Sequence, residues 1–175
     1  MNKTVTVVDQ VVISEIQKIL AIQKECALTA WTSNDYQQEI LNGSSLLLVA
    51  RENKKTVGFL ASRFLKKELS EGIEKHTAAK YSEAEILNFG VSQNFRKTGV
   101  GSHLIREFME KAGRLSVETI WLEVRASNFT AINFYSHKGF TETHRRKNYF
   151  SAPLEDAIVM KFVVRSERVG EISKT

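Results

Sequence analysis

Two glycines one residue apart follow a basic pair in the segment Arg96-Lys97-Thr98-Gly99-Val100-Gly101-Ser102. A backbone without Cβ atoms lets a ligand approach closely. The segment stands between a run of strand character and a run of strong helical period, so it opens a helix. A helix start supplies unpaired N–H groups and a partial positive charge, a combination suited to phosphate or pyrophosphate. Arg96 and Lys97 add full positive charge beside it. The same glycines also suit a plain strand-to-helix turn; their position and flanking charge favour the anion. A nucleotide loop of the form Gly-x-x-x-x-Gly-Lys-Ser/Thr is not present. The dinucleotide fingerprint fails too, because Leu104 occupies the place of its third glycine.

The elements that must hold this loop are legible from periodicity. Glu85 to Ser92 reads as a strand entering it. Val100 to Leu115 reads as a helix leaving it, with Val100, Leu104, Ile105, Phe108, Met109, Ala112 and Leu115 as its apolar stripe. Thr119 to Arg125 alternates as a strand, Ile120, Leu122 and Val124 on one face and Trp121, Glu123 and Arg125 on the other. Asn128 to Lys138 reads as a second helix, stopped at Gly139. Phe140 to Lys147 and Asp156 to Val164 predict two closing strands. Upstream, Thr4 to Val8 reads as a strand and Val12 to about Leu28 as an amphipathic helix. Ser33 is the expected cap of a short helix ending at Gly43. Ser45 to Arg51 and Thr56 to Phe64 form a hairpin across Glu52-Asn53-Lys54-Lys55. Lys66 to Glu83 is polar and reads as a surface excursion. Strand–helix–strand order in the second half implies a parallel pair with a right-handed crossover, flanked by antiparallel hairpins. The class is mixed α/β.

Composition bounds the rest. The 175 residues suffice for one domain, expected over 1–165, with a polar tail at 166–175. Hydrophobic residues make up 42% and charged residues 26%, with a mean hydropathy of −0.24, which excludes a disordered polyelectrolyte. The run Leu46 to Ala50 is too short to span a membrane, and no basic-then-apolar leader opens the chain. Cys26 is the single cysteine, which excludes an intrachain disulfide and fits a reducing cytoplasm. In the first helix it reads as a small buried hydrophobe. His76, His103, His137 and His144 have no metal-ligand spacing with it, so no metal is expected. A net charge of +5 and a pI near 9.3 fit a local anion site better than a nucleic-acid surface. Arg145-Arg146-Lys147 beside Tyr149 and Phe150 reads as a solvated strand end rather than an RNA contact.

Arg-x-x-Gly-x-Gly between a strand and a helix resembles the pyrophosphate loop of the GNAT acetyltransferases. The resemblance extends through Trp121 to Asn128, Ala131-Ile132, Phe134-Tyr135, Gly139-Phe140, Arg145 to Tyr149 and Glu155 to Met160. Over roughly Glu85 to Phe162 the chain is similar to the RimI type, the ribosomal-protein alanine N-acetyltransferases. The resemblance implies a GNAT fold, a mixed sheet with a parallel central pair and flanking helices, and acetyl-CoA as acetyl donor.

Carried over residue by residue, it implies that Phe89, Gly90 and Val91 offer backbone groups to the pantetheine arm. It implies that Arg96, Lys97, Thr98, Gly99, Val100, Gly101 and Ser102 hold the pyrophosphate, and that Asn128 hydrogen-bonds the arm. Glu123 corresponds to the base and Tyr135 to the acid. Both roles agree with the chemistry. An α-amine with a pKa of about 7.7–8.0 needs little help losing its proton, and tyrosine seven positions after Asn128 lies on the same helix face. The implied acceptor is a protein N-terminus, a ribosomal protein among them, by direct transfer without an acyl-enzyme. Small amines such as polyamines or aminoglycosides, and a non-catalytic acyl-CoA-binding module, are the alternative readings.

Overall fold

The computed structural model describes residues 7–28, 31–66 and 81–164. Seven strands form one sheet: β1 (Val7–Gln10), β2 (Ser45–Glu52), β3 (Lys55–Lys66), β4 (Tyr81–Val91), β5 (Thr119–Arg125), β6 (Thr141–Ser151) and β7 (Leu154–Val163). Their spatial order is β1-β2-β3-β4-β5-β7-β6. Every neighbouring pair is antiparallel except β4 and β5, which run parallel. Helices α1 (Ile16–Glu25) and α2 (Ser33–Leu41) precede β2, α3 (Val100–Arg114) is the β4–β5 crossover, and α4 (Phe129–His137) joins β5 to β6.

The helices cover both faces, which is why the inner strands are near-continuous apolar runs. On one face Ile16, Ile19, Ile22 and Tyr36 pack against Leu47, Val49, Phe59 and Ala61. On the other, Val100, Leu104, Ile105, Phe108 and Ala112 of α3 meet Leu48, Leu60, Ile86, Ile120, Leu122 and Met160. The stripe expected on α3 is therefore its buried face, except that Leu115 lies outside the helix and is exposed.

Several boundaries differ from the sequence expectation for local reasons. The cap of α2 is Thr32, not Ser33. Thr32 Oγ1 accepts from the Asp35 N–H at 3.2 Å, and the Asp35 carboxylate accepts from the Thr32 N–H at 2.7 Å. That reciprocal pair needs an acidic residue three positions on, which Thr32 has and Ser33 lacks. The first helix begins at Ile16, after a 3-10 turn over Ile13–Glu15. Strand β4 starts at Tyr81, four residues early, because Tyr81 and Ala84 are buried against the α3 face. The expected Lys66–Glu83 excursion otherwise lies outside the described residues, as do the start of the Thr4–Val8 strand and the 166–175 tail. The β2–β3 hairpin turns on Asn53 (φ 49°) and Lys54 (φ 63°), the left-handed pair that a two-residue hairpin loop requires.

An ion pair pins the entrance of α1 to the sheet. Glu15 is 4% exposed and accepts from Arg51 Nε at 3.0 Å, Arg51 Nη2 at 2.5 Å and the Thr56 hydroxyl at 3.1 Å. Burial raises the Glu15 pKa, but the Arg51 bonds and charge outweigh it, so the net shift is downward. The resulting stabilisation is complete above the ordinary glutamate pKa and is lost as pH falls through the lowered value. Glu15→Ala is expected to cost about 3 kcal/mol at pH 7, the low end for breaking a buried pair, since Arg51 keeps contact with water. Urea unfolding measures it.

Candidate active site

The site begins with an interruption of the sheet. Strands β4 and β5 pair only from Glu83–Thr119 to Ile86–Leu122 and then diverge. Along β3 the register passes from Ser62–Ile86 to Ala61–Asn88, so Leu87 is an extra residue in β4. Such a bulge bends its strand and turns the following side chains over. As a result Glu85 and Asn88 share one face, whereas Ile86 and Phe89 share the other. Beyond the bulge β4 follows β3 up to Val91, and β5 follows β7 up to Arg125. A notch is left between Leu87–Val91 and Glu123–Arg125, bordered by backbone groups of both strands.

The glycine loop lies at the end of this notch. After β4 the chain makes a 3-10 turn over Gln93–Phe95 and passes Lys97 (φ 60°) and Gly99 (φ 97°) into α3. Gly99 is the helix N-cap and brings no side-chain bond to the first turn. The first N–H groups of that turn therefore carry no side-chain cap, as at any helix start that lacks one. At Gly101 a Cβ would lie 3.3 Å from the Phe89 ring and 3.5 Å from the Phe134 ring. Any side chain here would need the Phe89 ring to give by a few tenths of an ångström, because β4, α3 and α4 converge on this place. The Thr98 hydroxyl donates to the Phe95 carbonyl at 2.7 Å and closes the loop. Arg96 turns back to β4: its Nε donates to the Val91 carbonyl at 3.1 Å, and its Nη2 lies 3.3 Å from Cys26 Sγ. Cys26 is half-buried rather than buried, and its thiol donates to the same Val91 carbonyl at 3.3 Å. It stands at the end of α1, where the chain leaves the apolar face.

Glu123 and Tyr135 flank the notch from opposite sides of the sheet. Tyr135, 6% exposed, sits among the rings of Phe134 (5.4 Å), Phe140 (5.5 Å) and Phe89 (6.1 Å) on the α3–α4 face. Burial raises its phenol pKa well above the usual value. It stays neutral at any working pH and is a hydrogen-bond donor, not a phenolate. Asn128 caps α4, its side-chain oxygen accepting from the Ala131 N–H at 3.1 Å.

On the other face Glu123 opens to a recess of about 300 Å³, lined also by Leu65, Glu83, Glu85, Trp121, His144 and Arg146. Arg146 Nη1 donates to the Glu123 carboxylate, whose side chain is 14% exposed. Tyr149 hydrogen-bonds the same carboxylate, which pushes its own pKa up to about 12. The basic strand end read as solvated therefore supplies the ion-pair partner of Glu123. A larger groove of about 920 Å³, between α3 and β7, touches the site only through Ser102.

Glu85, which periodicity did not single out, carries no such partner in its favour. Burial raises its pKa and the Glu123 charge raises it further, against weaker pulls from Arg63 and Arg146. A carboxyl raised in the folded state binds more protons there than in the unfolded chain, so it reduces stability as pH rises from about 4.3 through its raised value. Glu85→Gln is expected to melt above the parent at pH 8, with the difference vanishing near pH 4. Thermal unfolding at the two pH values decides it.

Residues 16–140 match the Acetyltransferase (GNAT) family, and the chain belongs to it. The chain is 39% identical over 80 residues to the ribosomal protein bS18-alanine N-acetyltransferase of Escherichia coli K12, covering 45% of this chain and 54% of that one. It thus spans about half the length of the curated relatives it matches there. The Haemophilus influenzae protein of the same name is 26% identical over 162 residues, covering 89% of this chain and 97% of that one. Among solved structures, Arabidopsis thaliana NAA60 in complex with acetyl-CoA superposes with a TM-score of 0.76 at 18% identity, covering 91% of this chain and 99% of that one. That likeness concerns the fold.

Among the described residues, no helix is long and apolar enough to cross a membrane.

Proposed function

We propose that this chain transfers the acetyl group of acetyl-CoA to the α-amine of a protein N-terminus, with a ribosomal protein beginning in alanine as the favoured acceptor. One observation carries the reading: the β4–β5 notch joins the open first turn of α3 to Glu123 and Tyr135 on its two sides. Support for the acceptor comes from the names of the bS18-alanine relatives, and support for the donor from the acetyl-CoA complex of NAA60. The residues present fit that donor. The first-turn N–H groups of α3 suit its diphosphate, and no side chain caps them. Backbone groups of Phe89, Gly90 and Val91 at the notch suit an extended amide-bearing arm, with Asn128 beside it.

The chemistry asked of the side chains is modest. Glu123 takes the proton of the attacking amine, directly or through water, with Arg146 and Tyr149 orienting its carboxylate. Tyr135, held neutral by burial, hydrogen-bonds the sulfur as charge develops on it. Complete proton transfer from so weak an acid to a thiolate of ordinary pKa near 8.5 is uphill, so the donated hydrogen bond is the contribution expected. Amine and thioester meet from opposite faces, which accounts for carboxylate and phenol standing on different sides of one sheet.

The test incubates the chain with acetyl-CoA and peptides varied at their first residues, following acetylation by mass. Acetyl on the α-amine of alanine-first peptides is the expected result. Labelling confined to lysine side chains, or to free polyamines and aminoglycosides, overturns the acceptor. Acetyl-CoA binding without transfer to any amine would favour a regulatory module.

A further inference from the structure

Helix α1 ends in a carboxylate that reaches the chain leaving β4. Glu25 is the last residue of α1 and is exposed. A negative charge in the last turn opposes the helix dipole, so helix formation alone gives no reason for it there. Its partners come from the turn after β4. The Ser92 hydroxyl donates to the carboxylate at 3.0 Å, and the Gln93 N–H donates to the same group. Ser92 precedes the 3-10 turn over Gln93–Phe95 but brings no side-chain bond to it, its hydroxyl serving α1 instead. Cys26, the C-cap of α1, repeats the link: its thiol and Arg96 Nε both donate to the Val91 carbonyl, and Arg96 Nη2 reaches Cys26 Sγ.

These contacts bracket the start of the glycine loop. Val91, Ser92, Gln93 and Arg96 are each bonded to the end of α1, which belongs to the opposite helical layer from α3. The sheet holds the same turn through the Ser92 N–H, 2.9 Å from the Val57 carbonyl of β3. Beyond Arg96 the path bends twice through positive φ, at Lys97 and Gly99, and the Thr98 hydroxyl bonds only back to Phe95 within the loop. Where the first turn of α3 meets the notch is therefore set at the loop's beginning. We propose that Glu25 is a positioning residue for acetyl-CoA binding: by holding Ser92 and Gln93 it fixes the glycine loop, and with it the diphosphate-facing first turn of α3, in place before the coenzyme arrives. The inference rests on the acetyl-CoA reading above and adds to it a group that acts through the loop and not on the reacting atoms.

The experiment compares acetyl-CoA with S-acetylpantetheine, which has the same thioester and arm but no diphosphate, in the parent, Glu25→Ala and Glu25→Gln. Alanine removes both acceptor oxygens. Glutamine keeps an oxygen in the place of Oε1, which both Ser92 and Gln93 reach. In Glu25→Ala, KM for acetyl-CoA is expected to rise about fivefold at constant kcat, the size for charge-assisted bonds that water partly replaces. Glu25→Gln should return it to within about twofold of the parent, and kcat/KM for S-acetylpantetheine should stay within about twofold in both variants. A merely structural contact moves both thioesters together or neither, and either result overturns the inference, as does a glutamine variant no better than alanine. Should S-acetylpantetheine react too slowly to follow, acetyl-CoA decides alone: KM must rise at constant kcat and recover with glutamine, and a fall in kcat overturns the inference. A parent with no affinity for acetyl-CoA overturns the function itself, whereas an active parent with an indifferent Glu25→Ala overturns only this role of Glu25.

Discussion

We expect Glu123→Gln and Tyr135→Phe each to lower kcat by about 100-fold or more, the usual range for losing a positioned base or a hydrogen-bond donor to developing charge, with acetyl-CoA affinity unchanged within about twofold. Glutamine preserves the shape of Glu123 and can still accept from Arg146, but it cannot take a proton from the amine. It also removes the negative charge that, after burial, raises Glu85, so the Glu85 pKa should fall towards its ordinary value. Phenylalanine fits the ring-lined site of Tyr135 and deletes only the hydroxyl, the group proposed above to bond the sulfur. Because burial already keeps that phenol neutral, no change of ionisation accompanies the loss. Thiol release measures turnover, and calorimetry measures binding of the donor. Unchanged turnover in both variants removes the two residues from the mechanism.

The second large effect falls on binding. Gly101→Val should weaken acetyl-CoA association at least about 30-fold, the equivalent of ~2 kcal/mol, with residual turnover recovered at high donor concentration. A Cβ at Gly101 already comes within 3.3 Å of the Phe89 ring and 3.5 Å of the Phe134 ring. The two further methyl groups of valine must push these rings apart, a typical overpacking cost of 1–3 kcal/mol. They also crowd the first turn of α3, where the diphosphate would meet the N–H groups. Gly113, later in the same helix, has nothing within 4 Å of its would-be Cβ and provides the control. Gly113→Ala should leave affinity unchanged and raise stability by up to about 1 kcal/mol through helix propensity. Equal affinities for Gly101→Val and Gly113→Ala would place the donor elsewhere.

Much of this was legible in the chain because the signals are local. Strand β5 runs over Thr119–Arg125 as its alternation predicts, and α3 buries the stripe that its spacing predicts. The glycine loop announces itself by residue type, and family membership follows from motifs contiguous in the second half. The expectations that slipped were those depending on which partner a side chain finds. Thr32 displaced Ser33 as cap because Asp35 answers it. Cys26, read as buried, sits at a helix end where Val91 and Arg96 reach it.

Residue type and spacing alone determined the glycine loop as a candidate anion site and the mixed α/β class, whereas Glu123 and Tyr135 became candidates through the family resemblance of the second half. Those properties reside in short-range periodicity and backbone freedom, which a linear order records directly. Only the tertiary structure decided that Leu87 bulges, that β4 and β5 part after Ile86 and Leu122, and that Glu123 and Tyr135 stand on opposite faces of the sheet. It alone also brought Arg146 and Tyr149 to Glu123, and Gln23 and Tyr36 to Asn88. Register between strands and contacts between distant segments arise from the packing of two helical layers on one sheet, and no local pattern encodes which partner a buried polar group will find.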